Sequence, residues 1–380
     1  MEIIGIIAEY NPFHNGHIYH INKIKEMYPD SIIVAVVSGN FTQRGIPSIV
    51  DKWEKTKAAI KHSIDLVIEL PFPFASQSSD IFAKGSISLL KELKVSKLIF
   101  GSESNDIDNL KRLAEIQESN EYEEEVKKYI DTDNYPTALN KAFEKFNVKG
   151  INDPNDLLAL SYIKEINKQN ANIEPISIKR TNDYHSKEIS EISSATSIRN
   201  AIINNLGIMK SVPRETLDSL EEHIFLLEDY YKLLKYKILS TDNLEIYQTV
   251  TPDLTNKLKK EVLISNTWDE LVLNLKSKRY TYNRINRMLI HILCNFTKEL
   301  ADSFKEIEYI RVLGFNNNGK EYLGKIKKEV TIPIITTFSK GNSKMLEYEQ
   351  QVSNVYASIL PEDQINDYIK KEYQELIKED

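Results

Sequence analysis

The order of apolar runs along the chain predicts an α/β fold, a Rossmann-like parallel sheet with a mainly helical C-terminal domain. Three observations lead there. Short β-branched runs alternate with helix-like stretches over the first 200 residues, the first two runs are almost continuously apolar, and long charged helical segments take over beyond about residue 206. Strand alternating with helix is the pattern of a doubly wound layer. A strand without polar alternation is one buried on both faces, as a parallel sheet requires.

The strands are expected at Ile3–Ile7, Ile32–Val37, Ile64–Ile68, Lys97–Phe100 and Ile173–Ile178, the last interrupted by Glu174 and Pro175. Between them, His17–Met27 sets Ile18, Ile21, Ile24 and Met27 on one side of a helix, and Asp80–Leu93 opens at Ser79 or Asp80 as N-cap. The charged stretch 105–148 predicts a helical insertion covering part of the site. Residues 1–205 thus form one domain, and residues 206–380 a second, with helices over Leu217–Leu239 and Leu254–Val262 and a β-like stretch at Val330–Thr337. A chain of 380 residues exceeds the ~250–300 at which single cores stop growing, so two domains fit.

The formal net charge of -7 speaks against a non-specific nucleic-acid coat, so any contact with RNA must be local. The single cysteine, Cys294, lies in an apolar run and reads as a buried hydrophobe, which fits a reducing cytoplasm. The N-terminus shows no basic n-region, and no run approaches the ~18 apolar residues of a membrane span, so a soluble, cytoplasmic protein without a membrane partner is expected.

Chemistry concentrates where the first strand meets the first helix, at Ile6-Ile-Ala-Glu-Tyr-Asn-Pro-Phe-His-Asn-Gly-His17. A strand-to-helix turn gathers free backbone N–H groups and the positive end of a helix dipole. Gly16 lets a phosphate approach, and His14 and His17 add imidazole donors for charge that develops as pyrophosphate leaves. Two other readings stand beside this one: histidines that merely cap the helix, or a metal pair at i, i+3 for which spacing supplies no third ligand, so no metal site is assigned. Ile192-Ser-Ser-Ala-Thr-Ser-Ile-Arg199 offers a second phosphate site, with four hydroxyls, Ser194 and Thr196 among them, at the start of a helix over Ser197–Asn204. Arg199 can fork onto the oxygens.

His14–His17 resembles the His-x-Gly-His signature of the nucleotidyltransferase superfamily, whose fold is of the HUP type, and Ser194-Ala-Thr-Ser-Ile-Arg199 its second signature, with Ala195 where Ser is common. More narrowly, Glu9–His17 is similar to the bacterial tRNA(Met) cytidine acetate ligase family. So are Ser38-Gly-Asn-Phe-Thr-Gln-Arg-Gly45, Asp51-Lys-Trp53, Glu69-Leu-Pro-Phe72, Pro154-Asn155, Lys179-Arg180, Tyr184-His185, Lys278-Arg-Tyr-Thr-Tyr282 and Arg311-Val-Leu-Gly-Phe315. The resemblance implies an ATP-dependent ligase that forms acetyl-adenylate from acetate. The acetyl group then passes to N4 of the wobble cytidine of elongator tRNA(Met). His14, His17 and Arg199 would be catalytic. It implies an ATP site of Ile7, Ala8, Glu9, Tyr10, Asn11, Pro12, Phe13, His14, Asn15, Gly16, His17, Ile18, Tyr19, His20, Gly101, Asn155, Arg180 and Thr181, to which Ser194 and Thr196 are added. Asp156 stands where a second Asn is usual. ATP is expected as its Mg²⁺ complex, and no stable protein partner is predicted.

Residues 276–290 carry five basic side chains and no acidic one, in an acidic chain. Lys276, Lys278, Arg279, Arg284 and Arg287 can neutralise phosphates while Tyr280 and Tyr282 stack on unpaired bases, which makes this the expected tRNA-binding segment. A solvated basic helix face is the alternative. The tail from 361, with seven acidic and three basic residues, is no RNA surface. Two other functions compete: a small-molecule adenylyltransferase, against which the long region after 205 counts, and a non-catalytic RNA-binding protein, against which the intact His14, Gly16, His17 and Arg199 count.

Overall fold

A computed structural model describes residues 1–133, 135–148, 150–180 and 191–379. Parallel strands form at each apolar run: β1 (Ile3–Ala8), β2 (Ile32–Ser38), β3 (Leu66–Leu70), β4 (Lys97–Ser102) and β5 (Glu174–Lys179). They lie in the order β5-β4-β1-β2-β3. Every residue of β2 is buried, as a strand sandwiched between helices must be. The strand order reverses between β1 and β4, and at such a switch point a crevice opens outside the carboxyl ends of the strands.

Two strands depart from expectation for identifiable reasons. β3 starts two residues later than the apolar run, because Asp65 is bound sideways to the neighbouring strand. Its carboxylate accepts the N–H of Ile33 at 2.8 Å while its own N–H donates to the Ile33 carbonyl. β5 forms in spite of Pro175 because it is an edge strand, where a missing N–H costs no ladder bond on the open side.

The sheet is covered by α1 (Asn15–Met27), α2 (Lys52–Lys61), the short α3 (Phe72–Ala75) and α4 (Ser79–Glu92). Ser78, one residue before the expected caps, is the N-cap of α4 and makes no side-chain cap bond. The stretch 105–148 is helical, as α5 (Ile107–Gln117), α6 (Asn120–Lys127) and α7 (Tyr135–Glu144), and α8 (Pro154–Lys168) follows it. None of its described residues lines the cavity at the carboxyl edge of the sheet. α5 packs on α8 and β5, with Leu110, Leu113 and Ala114 buried.

Beyond α9 (Ala195–Ile203) come α10 (Arg214–Glu222) and α11 (Tyr231–Ser240), where one long helix was expected. His223 adopts extended backbone, φ -160°, and ends α10. Then follow α12 (Pro252–Ile264), α13 (Trp268–Leu275), α14 (Tyr282–Leu293), α15 (Lys298–Ser303), α16 (Asn317–Ile326), α17 (Lys344–Ala357) and α18 (Glu362–Gln374). Three further strands return to the sheet: β6 (Ile310–Asn316), antiparallel to β3, with β7 (Ile334–Ile335) and β8 (Ile377–Glu379) parallel to β6. Of the predicted 330–337 stretch only β7 is strand, and β6 was not foreseen.

A buried charge network fastens β6 in place. Lys52 Nζ lies 2.7 Å from both Glu69 Oε1 and Glu372 Oε1, and Arg311 Nη2 lies 3.2 Å from Glu372 Oε2. All four side chains are at most 1% exposed, so each carboxylate has a cation and none is left uncompensated. The network joins α2, β3, β6 and α18, which span 320 residues of sequence.

Candidate active site

At the carboxyl end of β1 the chain turns through Tyr10, φ 48°, and a cis Asn11–Pro12 bond into α1. His14 is the N-cap of that helix. Its Nδ1 accepts the N–H of Gly16 at 3.0 Å, and Nδ1 of His17 accepts the N–H of His14 at 3.1 Å. A Cβ on residue 16 would lie 2.8 Å from His14 Cε1, so only glycine lets the imidazole fold back over the helix start.

This reciprocal capping fixes chemistry. A neutral imidazole that accepts at Nδ1 carries its proton at Nε2. Burial, then the charges of Arg180 and Arg199, push His14 down to about 3. Burial, then His14, Arg180 and His20, hold His17 well below 6.5. Both rings are therefore neutral Nε2–H donors, stacked with centroids 3.7 Å apart and bordering one cavity. The capping and phosphate-binding readings are compatible, because each uses a different nitrogen.

The cavity measures about 890 Å³, room for a nucleotide. The N-terminal turns of five helices, α1, α4, α8, α9 and α14, border it. Each brings the positive end of a helix dipole to it. Arg44, Lys179, Arg180, Arg199, Arg279, Arg284 and Arg287 line it against two carboxylates, Glu9 and Asp80. In a chain of net charge -7 this focus of cations marks an anion site.

Of the residues expected at the ATP site, Ile7, Ala8, Glu9, Tyr10, Asn11, His14, Gly16, His17, Tyr19, His20, Gly101, Asn155, Arg180, Ser194 and Thr196 line the cavity, as does Arg199. Pro12, Phe13, Asn15 and Ile18 do not. Phe13 is buried, Ile18 packs on the core, and Asn15 Nδ2 donates to the carbonyls of Glu191 and Lys210. Thr181, like Tyr184 and His185, lies outside the described residues. Ser194 Oγ caps α9 by accepting the N–H of Ser197, and Arg199 Nη1 donates to the Asn11 carbonyl at 2.6 Å, which ties α9 to the β1 turn. Asp156 is spent on the loop after β4, accepting the N–H groups of Glu103 and Ser104.

Residues that sequence reasoning left out complete the wall. Gln43 and Arg44 come from the loop after β2, and Arg44 Nη1 lies 3.4 Å from Thr196 Oγ1, the same hydroxyl that Arg199 Nη2 approaches at 3.2 Å. The signal was the polar Ser38–Gly45 segment at a strand's carboxyl end, where such sheets bind ligands. Gly45, φ 71°, sits so close to α14 that a Cβ would lie 2.3 Å from the Arg287 nitrogen.

That contact brings part of the expected tRNA segment to the same cavity. Arg279, Arg284 and Arg287 line it, while Lys276, Lys278 and Tyr282 lie outside. Tyr280 corrects an expectation: its ring is buried, its hydroxyl donates to Asp253 at 2.6 Å, and Arg284 lies over the ring at 4.7 Å. A base cannot stack there. Tyr282 is 37% exposed, and its hydroxyl donates to Asp269 at 2.7 Å.

A family model for HIGH nucleotidyl transferases matches residues 1–372. A tRNA(Met) cytidine acetate ligase of Geobacillus sp. (strain WCH70) is 36% identical, over 98% of both chains. The chain belongs to that family. Two solved structures share the whole fold, each covering 100% of both chains. Apo Thermotoga maritima TmcAL superposes with a TM-score of 0.91 at 27% identity, and the same protein bound with alpha-thio ATP with 0.89 at 28%. Among the described residues no helix is long and apolar enough to cross a membrane, and no three His, Cys, Asp or Glu side chains gather to hold a metal.

Proposed function

We propose that this protein is an ATP-dependent acetate ligase that forms acetyl-adenylate and transfers the acetyl group to N4 of the wobble cytidine of elongator tRNA(Met). The observation that carries the reading is the pair of neutral Nε2–H donors of His14 and His17 in a cavity bordered by five helix N-termini. Acetate attacks the α-phosphorus of ATP, and pyrophosphate leaves with the charge that the donors and Arg199 are placed to stabilise. ATP enters as its Mg²⁺ complex. The half from 206 to 380 supplies the tRNA surface through Lys276, Lys278 and Tyr282, with Arg279, Arg284 and Arg287 at the passage from that surface into the cavity. This geometry favours a ligase over an adenylyltransferase of small molecules, since the latter has no use for a basic segment leading out of the site.

The test is direct. Purified protein given ATP, acetate and elongator tRNA(Met) yields N4-acetylcytidine, AMP and pyrophosphate. An AMP adduct on a small phosphorylated metabolite, with tRNA unchanged, refutes the reading.

A further inference from the structure

A cavity built for anions has little use for a carboxylate, and Glu9 is therefore conspicuous. It follows β1 directly and borders the cavity beside the histidines. Its position is fixed at both ends. Lys55 Nζ donates to the Glu9 carbonyl at 3.1 Å, and the N–H of Gln43 donates to Oε1 at 2.8 Å. Facing ATP, such a charge repels the phosphates, so its placement calls for a different partner.

The second step of the proposed reaction needs one. The N4 amine of cytosine is a poor nucleophile, because its lone pair is delocalised into the ring, and it must lose a proton as it is acylated. Among the described residues of the cavity wall few groups can take that proton. The arginines and Lys179 are cations at neutral pH. His14 and His17 present Nε2–H, a donor, and Nε2 of the third wall histidine, His20, is buried. Asp80 is tied to Lys164 Nζ at 3.3 Å and Ser161 Oγ at 3.2 Å. Glu9 is left.

We propose that Glu9 is the base of acetyl transfer, a reading that rests on the acetyl-adenylate chemistry above. N4 of the cytidine attacks the acetyl carbonyl carbon and the N–C bond forms. The bond from that carbon to the AMP oxygen breaks, its electron pair leaving with AMP, and the N4 proton passes to the Glu9 carboxylate. AMP departs toward the same donors that held pyrophosphate.

The two half-reactions of the full-length protein separate the roles. Activation is read by acetate-dependent ATP–pyrophosphate exchange and by acetohydroxamate formed with hydroxylamine, a nucleophile that needs no base. Transfer is read as N4-acetylcytidine in a single turnover with tRNA(Met). Glu9→Gln keeps the acceptor for Gln43 and the side-chain volume. It should lower transfer by ~10²–10⁴-fold, and by at least about tenfold more than it lowers hydroxamate formation. Glu9→Asp, which keeps a carboxylate, should restore part of the transfer rate. Equal loss of both half-reactions in Glu9→Gln makes Glu9 a nucleotide or Mg²⁺ contact and overturns the assignment, as does a transfer loss below about tenfold. A wild-type protein that activates acetate yet leaves tRNA unmodified overturns the underlying reading, and Glu9 with it.

Discussion

Replacing His17 by alanine removes three things that the structure shows in one place. It deletes an Nε2–H donor from the cavity, the Nδ1 acceptor of the His14 N–H at 3.1 Å, and the ring stacked 3.7 Å from His14. Loss of one donor aimed at developing charge costs ~10²–10³-fold in rate, about 2.7–4 kcal/mol. Loss of the partner of a partly buried N–H costs about 1–3 kcal/mol of stability. Acetate-dependent ATP–pyrophosphate exchange at saturating ATP measures the first, and urea unfolding the second. The pH profile supplies an independent check. A group with a lowered folded value binds its proton late, so neither ring charges as pH falls through the ordinary histidine range near 6.5. Wild-type exchange should therefore show no inflection from these imidazoles between about pH 8 and pH 6. Stability is fully present above about 6.5 and falls below it, as the unfolded chain takes up protons that His14 refuses until about 3. An inflection near pH 6.5 that disappears in His17→Ala, or near-normal exchange in the folded variant, refutes the neutral-donor argument.

Further outcomes follow from the same geometry. Lys52→Met leaves Glu69 and Glu372 facing each other without their shared cation, and should lower unfolding stability by about 3–5 kcal/mol in denaturant titrations. Neutralising Lys276 and Lys278 should reduce the slope of log tRNA affinity against log salt by ~0.7–0.9 per residue and spare pyrophosphate exchange. Neutralising Arg284 and Arg287 should impair both activities, because these two line the nucleotide cavity. Tyr282→Ala should weaken tRNA binding by about 1–3 kcal/mol without loss of stability, whereas Tyr280→Ala should destabilise the fold, measured as a lowered Tm, since it empties a buried, hydrogen-bonded position.

The parallel strands were legible because unbroken runs such as Ile32–Val37 admit few other structures, and the capping histidines because their spacing sits at a strand end. β6 was not legible. Arg311 and Gly314 interrupt its apolar run, and what makes Arg311 tolerable at full burial is Glu372, 61 residues away. Tyr280 misled for a related reason: its partner Asp253 lies 27 residues back, and no local pattern announces it. The approach of α14 to the cavity was equally hidden. It depends on a left-handed glycine, Gly45, meeting a helix backbone some 240 residues later. Patterns that repeat along the chain report local structure and one-sided burial. Long-range electrostatic pairing leaves no periodic trace.

The shared cation of Lys52 also sets an order on synthesis. Its first partner, Glu69, emerges from the ribosome almost at once, but its second, Glu372, follows about 320 residues later, roughly 15–65 s at ~5–20 residues per second. Until then β3 offers its outer edge, Leu66 to Leu70, without the antiparallel strand that covers it in the finished molecule. An open apolar edge of that kind is a template for pairing with other chains. The nascent protein must keep this edge shielded until β6 docks and α18 delivers its carboxylate, so premature termination anywhere before residue 310 leaves a sheet that is both incomplete and adhesive.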